Sequence, residues 1–107
     1  MIYEYKGQYP YNVISVKNNA PDSIGVYYCG YPNASNVLIV HYVGRAMGDG
    51  VSISSRLLDH LREDNWSDTS HFGFRVCSTK EEAENLEAAE INRLKPKYNT
   101  QGKLYSF

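Results

Sequence analysis

The chain carries no surplus of either charge: 11 lysines and arginines stand against 12 aspartates and glutamates, for a net charge of −1. Proteins that grip duplex DNA unaided usually show a basic footprint, so the affinity of this chain for polyanions is expected to be modest. Cysteine is scarce too. Cys29 and Cys77 lie far apart and in no metal-ligand or redox spacing. That excludes a disulfide scaffold or thiolate cluster and predicts free thiols in a reducing compartment, the cytoplasm. No run approaches the roughly 18 apolar residues of a membrane span, and the Met1 end lacks a basic region followed by an apolar stretch. A soluble, unexported protein without membrane contact is expected. No repeat, low-complexity tract or linker interrupts the sequence, and 107 residues are material for one folded domain.

Tyrosine, by contrast, is plentiful. Tyr3, Tyr5, Tyr9 and Tyr11 crowd the start of the chain, where such rings serve either as stacking surfaces or as amphipathic packing; packing is the commoner use. Gly7 and Pro10 punctuate this segment, and Asn18-Asn19-Ala20-Pro21-Asp22 is dense in turn formers, so Tyr11 to Val16 reads as a short strand or a helical lead-in. From Ile24 to Gly30 the run is β-branched and aromatic, and a loop over Tyr31 to Asn36 precedes a second such run, Val37 to Val43. Together they predict an antiparallel hairpin. Gly44 closes the second strand, and Gly48-Asp49-Gly50 separates it from an apolar-periodic segment, Ser52 to Arg62, which is a predicted helix.

After the polar stretch Glu63 to Ser70, alternation over His71 to Cys77 places Phe72, Phe74 and Val76 on one face of a third strand. Ser78 with Glu81, or Thr79 with Glu82, has capping-box spacing, so a second helix begins near residue 79. Pro96 ends it, because the residue before a proline is pushed out of helical geometry. The expectation is an α+β domain: a small three-stranded antiparallel sheet flanked by helices, in the order β-β-α-β-α.

Helical geometry marks two carboxylates. With about 100° per residue and Ala83 at the origin, Leu86, Ile91 and Leu94 define an apolar arc, and Glu87 and Glu90 fall inside it at about 40° and 340°. Burying an unpaired carboxylate costs several kcal/mol, so a cation should meet them. The candidates are a catalytic or metal site, an ion pair with Arg56 or Arg75, or a helix rolled so that both reach water. On the preceding helix Arg56 and His60, four residues apart, share a face and can point at one place; snorkelling or capping of nearby carbonyls is the structural alternative. Alternation puts Val26 and Tyr28 opposite Tyr27 and Cys29, and His41 and Val43 opposite Val40 and Tyr42. Tyr27 and Tyr42 share a face only if the register allows it.

Gly25-Val26-Tyr27, Tyr42-Val43-Gly44 followed by Arg45, Arg56-Leu57-Leu58-Asp59-His60, and Glu87 through Lys95-Pro96-Lys97-Tyr98-Asn99 occur in this order. Over residues 24 to 99 the chain resembles the GIY-YIG nuclease family, with residues 1 to 23 as a tyrosine-rich extension. Valine replaces isoleucine in both signatures, and the loop between the two tyrosines is longer than usual for the family. The resemblance implies a DNA endonuclease that leaves 5′-phosphate and 3′-hydroxyl ends in repair, recombination or restriction. By the same resemblance, one divalent cation, Mg²⁺ or Mn²⁺, would be held by Glu87 and the scissile phosphate. Tyr27 would accept the proton of the attacking water, assisted by Tyr42 and His60. Arg56 and Arg45 would neutralise the phosphate, and Asn99 would orient groups around Glu87 or the phosphate. Glu90 is expected to support Glu87 rather than bind the cation.

With no room for a DNA-reading domain, two arrangements follow. The chain is a minimal nuclease acting alone, or it is a catalytic module that relies on dimerisation or a separate targeting protein. The Pro32 to Asn36 loop, the Gly48-Asp49-Gly50 turn and the N-terminal tyrosines are the candidate specificity elements. The competing reading is an inactive nucleic-acid-binding or protein-interaction module on the same scaffold.

Overall fold

The computed structural model describes residues 1–99. Along it run β1 (Lys6–Pro10), α1 (Val13–Asn19), β2 (Gly25–Pro32), β3 (Leu38–Ala46), α2 (Ile53–Glu63), β4 (His71–Val76) and α3 (Lys80–Leu94), with a further helical turn at 97–99. The α+β class stands. The sheet, however, has four strands rather than three, in the order β1-β4-β2-β3 with every neighbouring pair antiparallel. The additional strand comes from the tyrosine-rich N-terminus, where Tyr9 lies opposite Phe72 and Pro10 opposite His71. Pro10 is tolerable there because β1 is an edge strand, where a missing N–H breaks no ladder. The segment that follows is helical, α1, capped by the Asn12 side chain.

Local chemistry sets the helix limits. Ser52 and Ser55 cap each other's amides at the start of α2. At α3 the Thr79/Glu82 pairing is the capping box that forms, satisfying two orphan amides reciprocally. Asp64 and Lys95 both turn left-handed after the last helical turn, and Pro96 bars continuation of α3.

The sheet separates two apolar layers. On one face Tyr27, Cys29, Phe72 and Phe74 pack with Val16 of α1 and Ile53 and Leu57 of α2; on the other, Val26, Tyr28 and Val43 meet Leu86, Ile91 and Leu94 of α3. The N-terminal tyrosines are mostly packing groups: Tyr9 lies against Phe72 and Phe74, and the Tyr11 hydroxyl donates to the Leu57 carbonyl at 2.7 Å. Among the described residues no helix is long and apolar enough to cross a membrane.

Candidate active site

The register of the β2–β3 hairpin decides whether the two signature tyrosines meet. Tyr27 lies opposite Gly44 and Cys29 opposite Tyr42, so Tyr27, Cys29 and Tyr42 share the face under α2, and the Tyr27 and Tyr42 ring centroids are 6.2 Å apart. Gly44 is what makes room. A Cβ built there would sit 2.4 Å from the Tyr27 phenolic oxygen, so the ring of Tyr27 occupies the space a side chain would need. Beyond Cys29 the pairing slips by one residue, Gly30 facing Val40. This bulge leaves His41 unpaired, and such an extra residue points to the same side as its neighbour. His41, expected on the opposite face from Tyr42, therefore lies among the same aromatic rings, against Tyr31 and Tyr98.

Arg56 and His60 do converge, one turn apart on α2. The Tyr27 hydroxyl is 3.0 Å from His60 Nε2. Asn65 Nδ2 donates to the Glu63 carboxylate at 3.0 Å and to His60 Nδ1 at 2.8 Å, which makes Nδ1 the acceptor and leaves Nε2–H to donate to the Tyr27 oxygen. Burial, and then the Arg56 guanidinium, hold the His60 pKa below its ordinary value, so the ring is neutral at pH 7. Burial pushes the Tyr27 phenol well up; Tyr42 adds to the rise and Arg56 opposes it. The Tyr42 phenol is raised as well, by burial first and by the Glu87 charge second, while Arg56 pulls it down. Donors thus run in one direction, from Asn65 through His60 to Tyr27, with the Tyr42 ring packed beside it. Tyr27 itself is 0% exposed, so the phenol that solvent reaches is the half-buried Tyr42.

The neutral imidazole has a consequence for stability. A histidine whose folded pKa lies below its unfolded value near 6.5 contributes stability that is whole above that pH and is lost as pH falls through the folded pKa. The stability advantage of the wild type over His60→Gln, read from urea unfolding, is therefore expected to be largest at pH 7.5 and to shrink on acidification to pH 5. A gap that widens toward pH 5 would mean the imidazole is not held neutral.

Glu87 meets a cation, but neither of the two anticipated. Its Oε1 accepts from Arg45, and the carboxylate is 16% exposed. Arg45 lies opposite Val26 and so projects on the α3 face, at the outer edge of the sheet. Asn99 holds that edge: its Oδ1 accepts from Val43 N–H at 2.8 Å and its Nδ2 donates to the Val43 carbonyl at 2.9 Å, supplying the ladder partner that an edge strand lacks. Tyr27, Tyr42, His60 and Arg56 therefore gather on one side of β3, Glu87 and Arg45 pair on the other, and Asn99 sits between them. No hydrogen bond joins Glu87 to either phenol; its charge acts on Tyr42 through space.

Glu90 does not support Glu87. It accepts from the Tyr28 hydroxyl at 2.8 Å and from Arg93 at 2.8 and 2.9 Å, a self-contained network within the α3 layer.

The donor set bears on the expected cation. Glu87 Oε2 makes no hydrogen bond among the described residues, and no group of three His, Cys, Asp or Glu side chains gathers there. One carboxylate fits a hard cation that keeps most of its waters and draws other oxygens from a phosphate, which is how Mg²⁺ is commonly held.

No family model, curated protein or solved structure matches the chain. The site therefore stands on its own geometry. Two of its members, Asn65 and Trp66, escaped the sequence reading because they fall in the polar stretch after α2. Trp66 packs on His60 and Tyr42 at centroid distances of 4.5 and 4.7 Å. A tryptophan is seldom left in water, and its position in a charged loop was the available signal.

Proposed function

We propose that the chain is a metal-dependent DNA endonuclease of the GIY-YIG type, hydrolysing phosphodiester bonds at the edge of β3. The observation that carries this reading is the directed Asn65–His60–Tyr27 hydrogen-bond chain, with the Tyr42 ring 6.2 Å from that of Tyr27 and a guanidinium beside both. A packing tyrosine needs no neutral imidazole fixed in one tautomer behind it.

In hydrolysis a water oxygen bonds to phosphorus, the bond from phosphorus to the 3′ oxygen breaks, that oxygen takes up a proton from solvent, and 5′-phosphate and 3′-hydroxyl ends result. Tyr42, the phenol nearer solvent, takes the role first expected of Tyr27: as the phenolate it accepts the proton of the water and becomes the neutral phenol, Arg56 favours that phenolate beforehand, and His60 fixes Tyr27 beside it. Arg56 and Arg45 offset charge on the phosphate. Glu87 would hold Mg²⁺ or Mn²⁺, which when bound supplies Lewis-acid stabilisation of the phosphate. Because both phenols are raised above their usual range, cleavage should accelerate with pH between 7 and 9.

The non-catalytic alternative, a binding module, is favoured by the Arg45–Glu87 pair and the full burial of Tyr27, both of which a purely structural cluster would also show. Supercoiled plasmid and branched oligonucleotides incubated with Mg²⁺, Mn²⁺ or chelator separate the two. Metal-dependent nicking that falls about 100-fold in Tyr27→Phe, the scale of a lost proton-transfer partner, supports the enzyme. Binding with no cutting under any of these conditions supports the module.

A further inference from the structure

Aromatic rings continue outward from the proposed site. From Tyr42 the path runs to Trp66 at 4.7 Å, to Tyr98 at 6.1 Å with the planes 21° apart, to His41 at 5.9 Å and to Tyr31 at 5.3 Å. Tyr31, at the far end, is 42% exposed. The bulge that turns His41 inward closes this path. Charged side chains edge the run: the Lys97 ammonium lies 5.0 Å from the Tyr98 ring centroid and pairs with Asp68, which also accepts from the Tyr98 hydroxyl at 2.7 Å, and Arg56 lies at the Tyr42 end.

Two buried polar atoms among the described residues lack a protein hydrogen-bond partner within 3.5 Å, His41 Nδ1, which faces the Asp68 carboxylate at 3.6 Å, and Thr69 Oγ1. Both border this run. His41 belongs to it, and Thr69 lines a cavity of about 240 Å³ together with Trp66 and His60.

We propose that this aromatic run is a stacking subsite for unpaired nucleotides, so that the nuclease selects DNA with a single-stranded segment next to the bond it cuts. Every base presents a π-face and each base edge carries donors and acceptors, so rings edged by lysine and arginine and by unpartnered polar atoms recognise unpaired strands without regard to sequence. A duplex, with its bases already stacked on one another, offers the rings nothing. The inference rests on the proposed nuclease reading for its cleavage consequence, but the binding itself is readable without catalysis.

The single tryptophan, Trp66, reports on the subsite directly. In chelator, titration with an oligothymidylate should quench its fluorescence saturably. An equal-length duplex should not, and Tyr31→Ala, at the exposed end and outside the catalytic cluster, should weaken the single-strand titration about tenfold. In metal, the same variant should lose preference for a flapped over a fully paired substrate while still nicking plasmid.

Absence of quenching by the single strand, or equal quenching by duplex, overturns the stacking subsite, as does a flap preference unchanged in Tyr31→Ala. If quenching is specific to the single strand and depends on Tyr31 but nothing is cut, the subsite stands and the nuclease reading falls. If plasmid is cut but quenching is absent, the reverse holds.

Discussion

Gly44→Ala is expected to destabilise the protein by about 3 kcal/mol, at the upper end of the range for overpacking a filled core, and to cut cleavage at least about 100-fold. The new Cβ would lie 2.3 Å from Tyr27 Cζ and 2.4 Å from its hydroxyl, well inside contact distance. Tyr27 has nowhere to retreat: it is fully buried, with Tyr42 and His60 against its ring. Either the strand or the phenol must move, and a displacement near 1 Å at a reacting group is enough for a loss on the order of 100-fold. Thermal unfolding should register the change as a fall of roughly 10–20 °C in Tm for a domain of this size. Gly50→Ala is the matched control. Nothing lies within 4 Å of a Cβ at Gly50, but its φ of +84° is left-handed, so the substitution should cost about 1 kcal/mol in backbone strain alone and leave cleavage intact. If Gly44→Ala behaves like Gly50→Ala, the close packing of Tyr27 on β3 is not what the geometry says.

What the sequence disclosed and what it hid divide along physical lines. β2, β3, α2, β4 and α3 were legible because each buries a face large enough to impose a periodicity, and because Ser52, Thr79 and Pro96 punctuate the helices. β1 was not legible. Its five residues carry Gly7 and Pro10, and they are strand only because β4 offers a free edge far along the chain. α1 buries a single residue, Val16, too little to leave a stripe.

The bulge at His41 was hidden for a related reason. A one-residue slip reverses every later side chain, and alternation within a strand does not reveal where the slip occurs. In the site, the placement of Glu87 and Glu90 within an apolar arc correctly called for positive partners, but the pattern of one helix does not say which. The partners, Arg45 for one and Arg93 with the Tyr28 hydroxyl for the other, follow from how α3 lies across the sheet. Tyr27, Tyr42, Arg56 and His60 were placed together through motif order, and the hydrogen bonds running through His60 to Tyr27 begin at Asn65, a residue beyond the helix end.

Glu87→Gln gives the most direct measurement of the central claim, that the edge carboxylate and the phenol cluster form one phosphodiester-cutting site. The substitution keeps shape and removes charge. The lost ion pair with Arg45, whose side chain is 40% exposed, should cost no more than about 1 kcal/mol, so urea unfolding should barely change. Catalysis should change greatly, since losing the group proposed to hold the cation would remove several kcal/mol of transition-state stabilisation, roughly 1000-fold in rate. The measurement is plasmid nicking by the wild type and Glu87→Gln at equal protein, with saturating Mn²⁺ and with chelator. The account predicts cutting by the wild type in Mn²⁺ alone and a loss on the order of 1000-fold in a variant of near-wild-type stability. Nicking by Glu87→Gln at the wild-type rate, or wild-type nicking that survives chelator, would contradict it.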